Sequence, residues 1–304
     1  MRIQVIIPIY HPDDKFLCLL RMIKRQTAKN LFILLIDSGA GVPYIDEITD
    51  MNARVEMIDS TTFNHGGTRQ WGMELCTRAD VYVFLTQDAI LFDEYAIENL
   101  VAVFADEGVG CAYGRQIPHQ NSGVFGEIAR SFNYSPKGYI YDFEDRKRHG
   151  IKTAFISNSF AAYRKKAMQQ VGGFPKHTIL SEDMCVAAKM LLHGWKVAYA
   201  ANAIVYHSHD YTILQEFRRY FDIGVFHARE SWIQENFGKA EGEGRRFVMT
   251  ELRCILKRCP HRLLEMILRD GMKFLGFRLG LCESKIANSW KKRLSMTARY
   301  WDTQ

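Results

Sequence analysis

The sequence has no C-x-x-C pair, no internal repeat, no low-complexity tract and no apolar run near the roughly 20 residues that a bilayer crossing needs. Each absence excludes something. The seven cysteines (Cys18, Cys76, Cys111, Cys185, Cys254, Cys259 and Cys282) are scattered, which predicts reduced thiols. With no signal peptide expected, that points to a cytosolic setting. Neither general phosphate-loop pattern, G-x-x-x-x-G-K-[ST] or G-x-G-x-x-G, occurs. The opening residues 1–9 turn apolar at once and read as a buried strand rather than an anchor.

What is present is ordinary globular material: 304 residues, 47% of them hydrophobic. That is room for one large α/β domain and an accessory segment. The formal charge of +6 is modest, but from Arg245 onward basic residues dominate, among them Arg253, Lys257, Arg258, Lys291, Lys292 and Arg293. An anionic neighbour for this tail follows from that placement. Nucleic acid is not expected, because the bases are interleaved with apolar bulk and no recognition module accompanies them.

Continuous apolar runs at 3–9, 31–36, 55–58 and 81–85 read as buried parallel strands. Between them, 13–26 (with Phe16, Leu19, Leu20 and Ile23 at helical spacing), 68–77 and 93–106 read as helices. The alternation predicts an α/β fold with a mostly parallel sheet flanked by helices. A strand at 109–113 follows, then a polar excursion over 116–153, then strands at 155–163 and 197–200 around a helix that opens at Glu182-Asp183. Ligands of such sheets sit at the carboxyl ends of the strands. There the chain offers Asp37-Ser38-Gly39 after the second strand, Thr86-Gln87-Asp88 after the fourth, and His207-Ser208-His209 late in the chain.

Asp88 alone reads as a cap or turn former. With His207, or with its rival His209, it forms a ligand pair for a hard divalent cation, whose other positions donor oxygens and water fill. Glu182 and Asp183 at a helix start equally suit the helix dipole; functionally, a carboxylate there can take a proton from an acceptor hydroxyl. In Phe63-Asn64-His65-Gly66-Gly67-Thr68-Arg69, the two glycines allow close backbone approach to a nucleotide and Arg69 meets an anion.

Over residues 1–225 the chain resembles the family 2 glycosyltransferases, and in form the bacterial dTDP-rhamnosyltransferases of O-antigen and capsule synthesis. The resemblance rests on VIIPIYHPD, IDSG at Asp37, FNHGGTR, TQDA at Asp88, VGGF, SED at Asp183, HSH at His207 and FRRYFDIG from Phe217. It implies a GT-A type nucleotide-sugar-binding domain over 1–225 and a basic amphipathic helical segment over 226–304. It also implies Mg²⁺ or Mn²⁺ on Asp88 and His207, Asp183 as general base, and Asp37 reading the pyrimidine. Pro8, Tyr10, Asn64, Gly67, Arg69 and Gln87 complete the donor set, with Arg218 and Arg219 as a closing motif near the pyrophosphate. Glu182, His209 and Tyr220 stand on the acceptor side or behind the ligands. The wider family has D-x-D where this chain has Thr86-Gln87-Asp88, leaving one carboxylate and making His207 the more important.

The implied reaction is an inverting displacement from dTDP-β-L-rhamnose to a hydroxyl of a polyprenyl-diphosphate-linked saccharide. A UDP-hexose or UDP-galactofuranose donor is the nearest alternative. A nucleotidyltransferase would need a glycine- and Arg/Lys-rich first loop, where this chain has IYHPDD; a decayed scaffold fits poorly with Asp37, Asp88, Asp183 and His207 all present. The tail carries Ile286, Trp290, Leu294, Ala298 and Trp301 at about four-residue steps beside Lys291, Lys292, Arg293 and Arg299. That pattern suits a membrane interface at the inner face of the plasma membrane, or equally a helical cap or homodimer contact.

Overall fold

The computed structural model describes residues 1–39, 44–239 and 241–302. They contain nine strands, β1 (Ile3–Ile9), β2 (Leu31–Asp37), β3 (Ala53–Met57), β4 (Val81–Leu85), β5 (Ile90–Leu91), β6 (Val109–Ile117), β7 (Tyr139–Tyr141), β8 (Phe160–Arg164) and β9 (Lys196–Tyr206). Helices among the described residues are α1 (Asp14–Lys24), α2 (Ile45–Ile48), α3 (His65–Leu75), α4 (Ala96–Val101), α5 (Val124–Asn133), α6 (Arg146–His149) and α7 (Lys165–Val171). They continue with α8 (Glu182–Leu192), α9 (Ile213–Arg229), α10 (Ser231–Phe237), α11 (Glu241–Arg258), α12 (Leu263–Leu281) and α13 (Asn288–Leu294). The chain divides into two compact units, one of residues 1–121, 134–177 and 182–208, the other of 122–133, 178–181 and 209–304.

The first unit is built on one mixed sheet in the order β3-β2-β1-β4-β8-β6-β9-β5, with β7 on β9. β1, β2, β3, β4, β6 and β9 point one way and β5, β7 and β8 the other, so the sheet is mostly parallel, as its apolar runs predict. Both faces are covered. Ile3, Val5, Ile7 and Ile9 pack with Phe16, Leu19, Leu20 and Ile23 of α1 and Ile97 and Leu100 of α4. Ile6 looks the other way, to α3, which lies so close that a Cβ on Gly72 would meet Ile6 and Ile36 at 2.9 Å. α1 starts where Asp13 accepts the Lys15 N–H at 3.0 Å, an N-cap.

Two expectations change. β6 and β9 run well past 109–113 and 197–200, because their ends pair with one another and that of β9 also with β5. The excursion over 116–153 is not structureless: α5 lies within it and belongs to the second unit.

The second unit is helical. Phe125 and Ile128 of α5 share a core with Ile255 and Met266. α9 and α12 pack backbone to backbone: a Cβ on Gly276 would sit 2.4 Å from the Phe217 carbonyl oxygen, and one on Gly280 2.1 Å from that of Phe221. The four-residue steps from Ile286 to Trp301 do not lie on one helix: α13 ends at Leu294 and the chain resumes as a short 3₁₀ turn, Ala298–Asp302. Trp301 is 2% exposed and packs near Phe221, whereas Trp290 is exposed.

Candidate active site

The parallel register sets Asp37 level with Ile9, so β1, β2 and β4 deliver their following residues to one edge. Asp37 is buried. Its Oδ2 accepts the Tyr44 hydroxyl (2.6 Å) and its Oδ1 the Gly39 N–H (2.8 Å), while burial and this carboxylate push the tyrosine well above its usual range. Gln87 ties β1 to β4: its Oε1 accepts the Tyr10 N–H at 2.7 Å and its Nε2 donates to the Tyr10 carbonyl at 2.9 Å. That leaves the Tyr10 ring half exposed. Pro8 lies in β1 just before this tie.

Asp88 and His207 meet: Oδ2 and Nε2 are 3.4 Å apart, the histidine buried and the carboxylate about a quarter exposed. The other imidazole nitrogen, Nδ1, is 2.8 Å from Gln116 Oε1. An acceptor there holds the proton on Nδ1 and leaves the Nε2 lone pair on the Asp88 side, the tautomer a metal ligand needs. Gln116 is buried and steered in turn, its Nε2 donating to Ser157 Oγ at 2.9 Å. Near this pair, Thr86 Oγ1 and His119 Nε2 are buried without a hydrogen-bond partner among the described residues. One carboxylate oxygen, one correctly tautomerised imidazole and two orphaned polar atoms fit a divalent cation with its oxygen-rich ligand.

His119 is the member that sequence reading missed. Its ring hydrogen-bonds the Asp88 main chain, and burial, with Lys15 and His207 behind it, lowers its pKa. Only its place two residues beyond the end of β6 hinted at it. His209, two residues after His207, belongs to the second unit, is exposed and stacks on Tyr211 at 5.2 Å.

A second cluster gathers at the start of α8. Asp183 Oδ2 accepts the Asn158 N–H (2.9 Å) and Oδ1 the Met184 N–H (2.8 Å). Glu182 Oε1 accepts from Asn158 Nδ2 (3.0 Å) and pairs with Arg69 at 2.5 Å, both side chains buried. Burial, then the adjacent Glu182 charge, raises the Asp183 pKa to about 7. Burial would raise Glu182 too, but Arg69 and His65 more than offset it and hold it below the ordinary glutamate range. Ser157 and Asn158 are consecutive, so one turn of chain touches Gln116 behind His207 and Asp183 as well. The Thr86 N–H reaches the Ser159 carbonyl at 3.4 Å, joining the Asp88 turn to the same segment.

The heptapeptide glycines have local reasons. A Cβ on Gly66 would lie 2.0 Å from the Pro175 carbonyl oxygen, so glycine there admits the VGGF turn. The Gly67 N–H donates to Asn64 Oδ1 at 2.8 Å, making Asn64 the N-cap of α3, and the Asn64 amide also donates to the Lys176 carbonyl. Asn64, Gly67 and Arg69 are thus engaged within the protein. Arg218, Arg219 and Tyr220 lie on α9 in the second unit: Arg218 Nε is buried without a partner among the described residues, Arg219 stands 5.7 Å over the Tyr211 ring, and burial raises the Tyr220 pKa.

Solved structures with this architecture include a mannosyltransferase of Pyrobaculum calidifontis in complex with GDP-Man and Mn²⁺ (TM-score 0.59, 15% identity, covering 100% of this chain and 88% of that one). Another is S. aureus TarS 1–349 with UDP-GlcNAc (TM-score 0.58, 13% identity, 99% and 89%). At such identities the likeness is one of fold. The O-antigen chain rhamnosyltransferase RfbN of Salmonella typhimurium is 46% identical over 303 residues, 99% of this chain and 96% of that protein. WbaN of Salmonella anatum, also described as an O-antigen chain rhamnosyltransferase, is 43% identical over 279 residues, 92% and 89%. The family model described as "Glycosyl transferase family group 2" matches residues 83–236, a span that holds Asp88, Gln116, Asp183 and His207, and the chain belongs to that family of glycosyltransferases.

Proposed function

We propose that the protein transfers L-rhamnose from dTDP-β-L-rhamnose, with inversion, to a hydroxyl of a polyprenyl-diphosphate-linked saccharide during O-antigen chain synthesis. The observation that carries this reading is the junction, through Gln116, Ser157 and Asn158, of a carboxylate–imidazole pair with a second carboxylate whose pKa is about 7. The end-to-end similarity to two O-antigen chain rhamnosyltransferases supports the sugar and the pathway class.

Asp183 is the base: a carboxyl that titrates near neutrality takes a proton at working pH, whereas Glu182 is held ionised by Arg69 and is a poor acceptor. As the acceptor oxygen bonds to the anomeric carbon, its proton passes to Asp183 and the bond to the diphosphate oxygen breaks. Mg²⁺ or Mn²⁺ on Asp88 and His207 would neutralise charge on the departing diphosphate. Asp37, Tyr10, Pro8 and Gln87 are assigned to the donor. Asn64, Gly67 and Arg69 support it from behind through the α3 cap and the Glu182 pair. Arg218, Arg219 and Tyr220 are assigned to closure over the diphosphate, and Glu182 and His209 to the surroundings of base and metal. The catalytic share is 1–225 and the basic helical segment 226–304, which we place peripherally at the inner face of the plasma membrane, where a lipid-linked acceptor would lie.

The test is donor hydrolysis and transfer over a panel of dTDP-rhamnose, UDP-hexoses and UDP-galactofuranose, with Mn²⁺, Mg²⁺ or chelator, beside Asp88→Asn. Metal-dependent turnover of dTDP-rhamnose that disappears in Asp88→Asn is expected. Turnover of a UDP-sugar alone would overturn the donor, and full turnover in chelator would overturn the metal.

A further inference from the structure

α12 is turned inside out for a helix of a water-soluble unit. The face it buries carries Met266, Lys273, Gly276 and Gly280, because the glycines let α9 approach backbone to backbone. Its bulky apolar residues look outward instead: Leu264 is 81% exposed, Phe274 66%, Ile267 55%, Leu268 53% and Leu275 47%. At about 100° per residue, these five and Gly271 fall within one arc of about 120°, opposite the buried face, and the only charge in that arc is Arg278. A contiguous stripe of this kind marks an interaction site.

The charges around the stripe point to the partner. On α11, which shares the Ile255–Met266 core with α12, the face opposite buried Glu251 and Ile255 exposes Arg245, Met249, Arg253, Leu256 and Lys257. The described acids of the two helices are drawn back into ion pairs: Glu243 with Arg246, Glu265 with Arg262 and Arg269, Asp270 and Glu251 with Lys273. Apolar side chains beside exposed cations, with the described acids held in ion pairs, complement a bilayer surface bearing anionic headgroups. Among the described residues no helix is long and apolar enough to cross a membrane, so the stripe would lie in the interface plane.

We infer that the outer faces of α11 and α12, rather than the final residues 286–302, form the surface that docks on an anionic lipid bilayer. This deepens the membrane placement proposed above and is independent of the donor sugar. In the final segment Trp301 is buried and Lys291 pairs with Glu283, which ties it to its own unit.

The experiment is co-sedimentation of the full chain with vesicles of phosphatidylcholine alone or with phosphatidylglycerol added, in low and high salt. It is run beside Ile267→Ser/Leu268→Ser/Phe274→Ser, Arg253→Glu/Lys257→Glu and Trp290→Ser. Light scattering gives the oligomeric state, and circular dichroism with thermal unfolding reports folding. Expected is salt-sensitive binding to the anionic vesicles only, reduced about tenfold or more by the first two variants and unchanged in Trp290→Ser, with the unfolding transition intact. Wild-type protein that stays in the supernatant would overturn the inference. So would a triple variant that binds as wild type, or a wild-type dimer that the triple variant converts to monomer, which would assign the stripe to a second copy.

Discussion

Asp183 is a carboxyl with two amide donors and a raised pKa, a combination that needs a reason, since amide hydrogen bonds by themselves lower a carboxyl pKa. The reason is burial first and its neighbour second. Loss of water raises Asp183, and Glu182, which keeps its charge because Arg69 is buried against it, adds to the rise, to about 7. Only the carboxylate accepts a proton, so the rate of transfer is expected to rise with pH through about 7 and level off above it. Asp183→Asn should flatten this limb and lower kcat by about 10²- to 10⁴-fold, with donor binding by calorimetry nearly unchanged; lost donor binding would make Asp183 structural. At His207 the position of one proton, on Nδ1, decides whether Nε2 can ligate. Gln116→Leu removes the acceptor for Nδ1–H and should weaken Mn²⁺ binding, read by electron paramagnetic resonance titration, about 10- to 100-fold. Gln116→Glu, which keeps an acceptor there, should restore most of it. Equal weakening in both variants would point to the Ser157 contact instead.

Among the elements, glycine decides where helices lie. α3 rests on Ile6 and Ile36 through Gly72 and admits the Pro175 carbonyl through Gly66, so the FNHGGTR segment holds the Arg69–Glu182 pair by packing as well as by charge. α9 and α12 repeat the device with Gly276 and Gly280, spaced G-x-x-x-G. Gly276→Val would drive a side chain into the Phe217 carbonyl, 2.4 Å from where its Cβ must stand. A loss of about 1–3 kcal/mol is expected in urea unfolding of the second unit, whereas Gly271→Ala, with nothing within 4 Å, should be neutral or stabilising. Equal losses would mean that the close approach of the two helices carries no stability. The Gly276-Phe277-Arg278-Leu279-Gly280 spacing was visible in the chain. Its meaning was not, because the apolar run around it reads equally as a buried helix.

For the whole molecule, the apolar runs of the first half determined the long parallel strands, the mostly parallel sheet and the edge at which polar residues collect, but not the short β5 and β7. Buried strands can be read locally, since both their faces are apolar. Asp88 and His207 were recognisable by type and strand-end position, and Asp183 by its type and its place at a helix start. The motifs IDSG, FNHGGTR, TQDA and SED carried the family resemblance. The tertiary structure decided what depends on residues far apart in the chain. It paired Arg69 with Glu182, 113 positions apart, and set Gln116 behind His207, 91 positions apart. It brought His119 to Asp88, assigned α5 to the helical unit, buried Trp301 and turned the apolar face of α12 outward. A periodic pattern shows that a helix has two faces, but which face meets water is set by the partner's shape. Here that partner is α9, which accepts two glycines and leaves the leucines and phenylalanine outside.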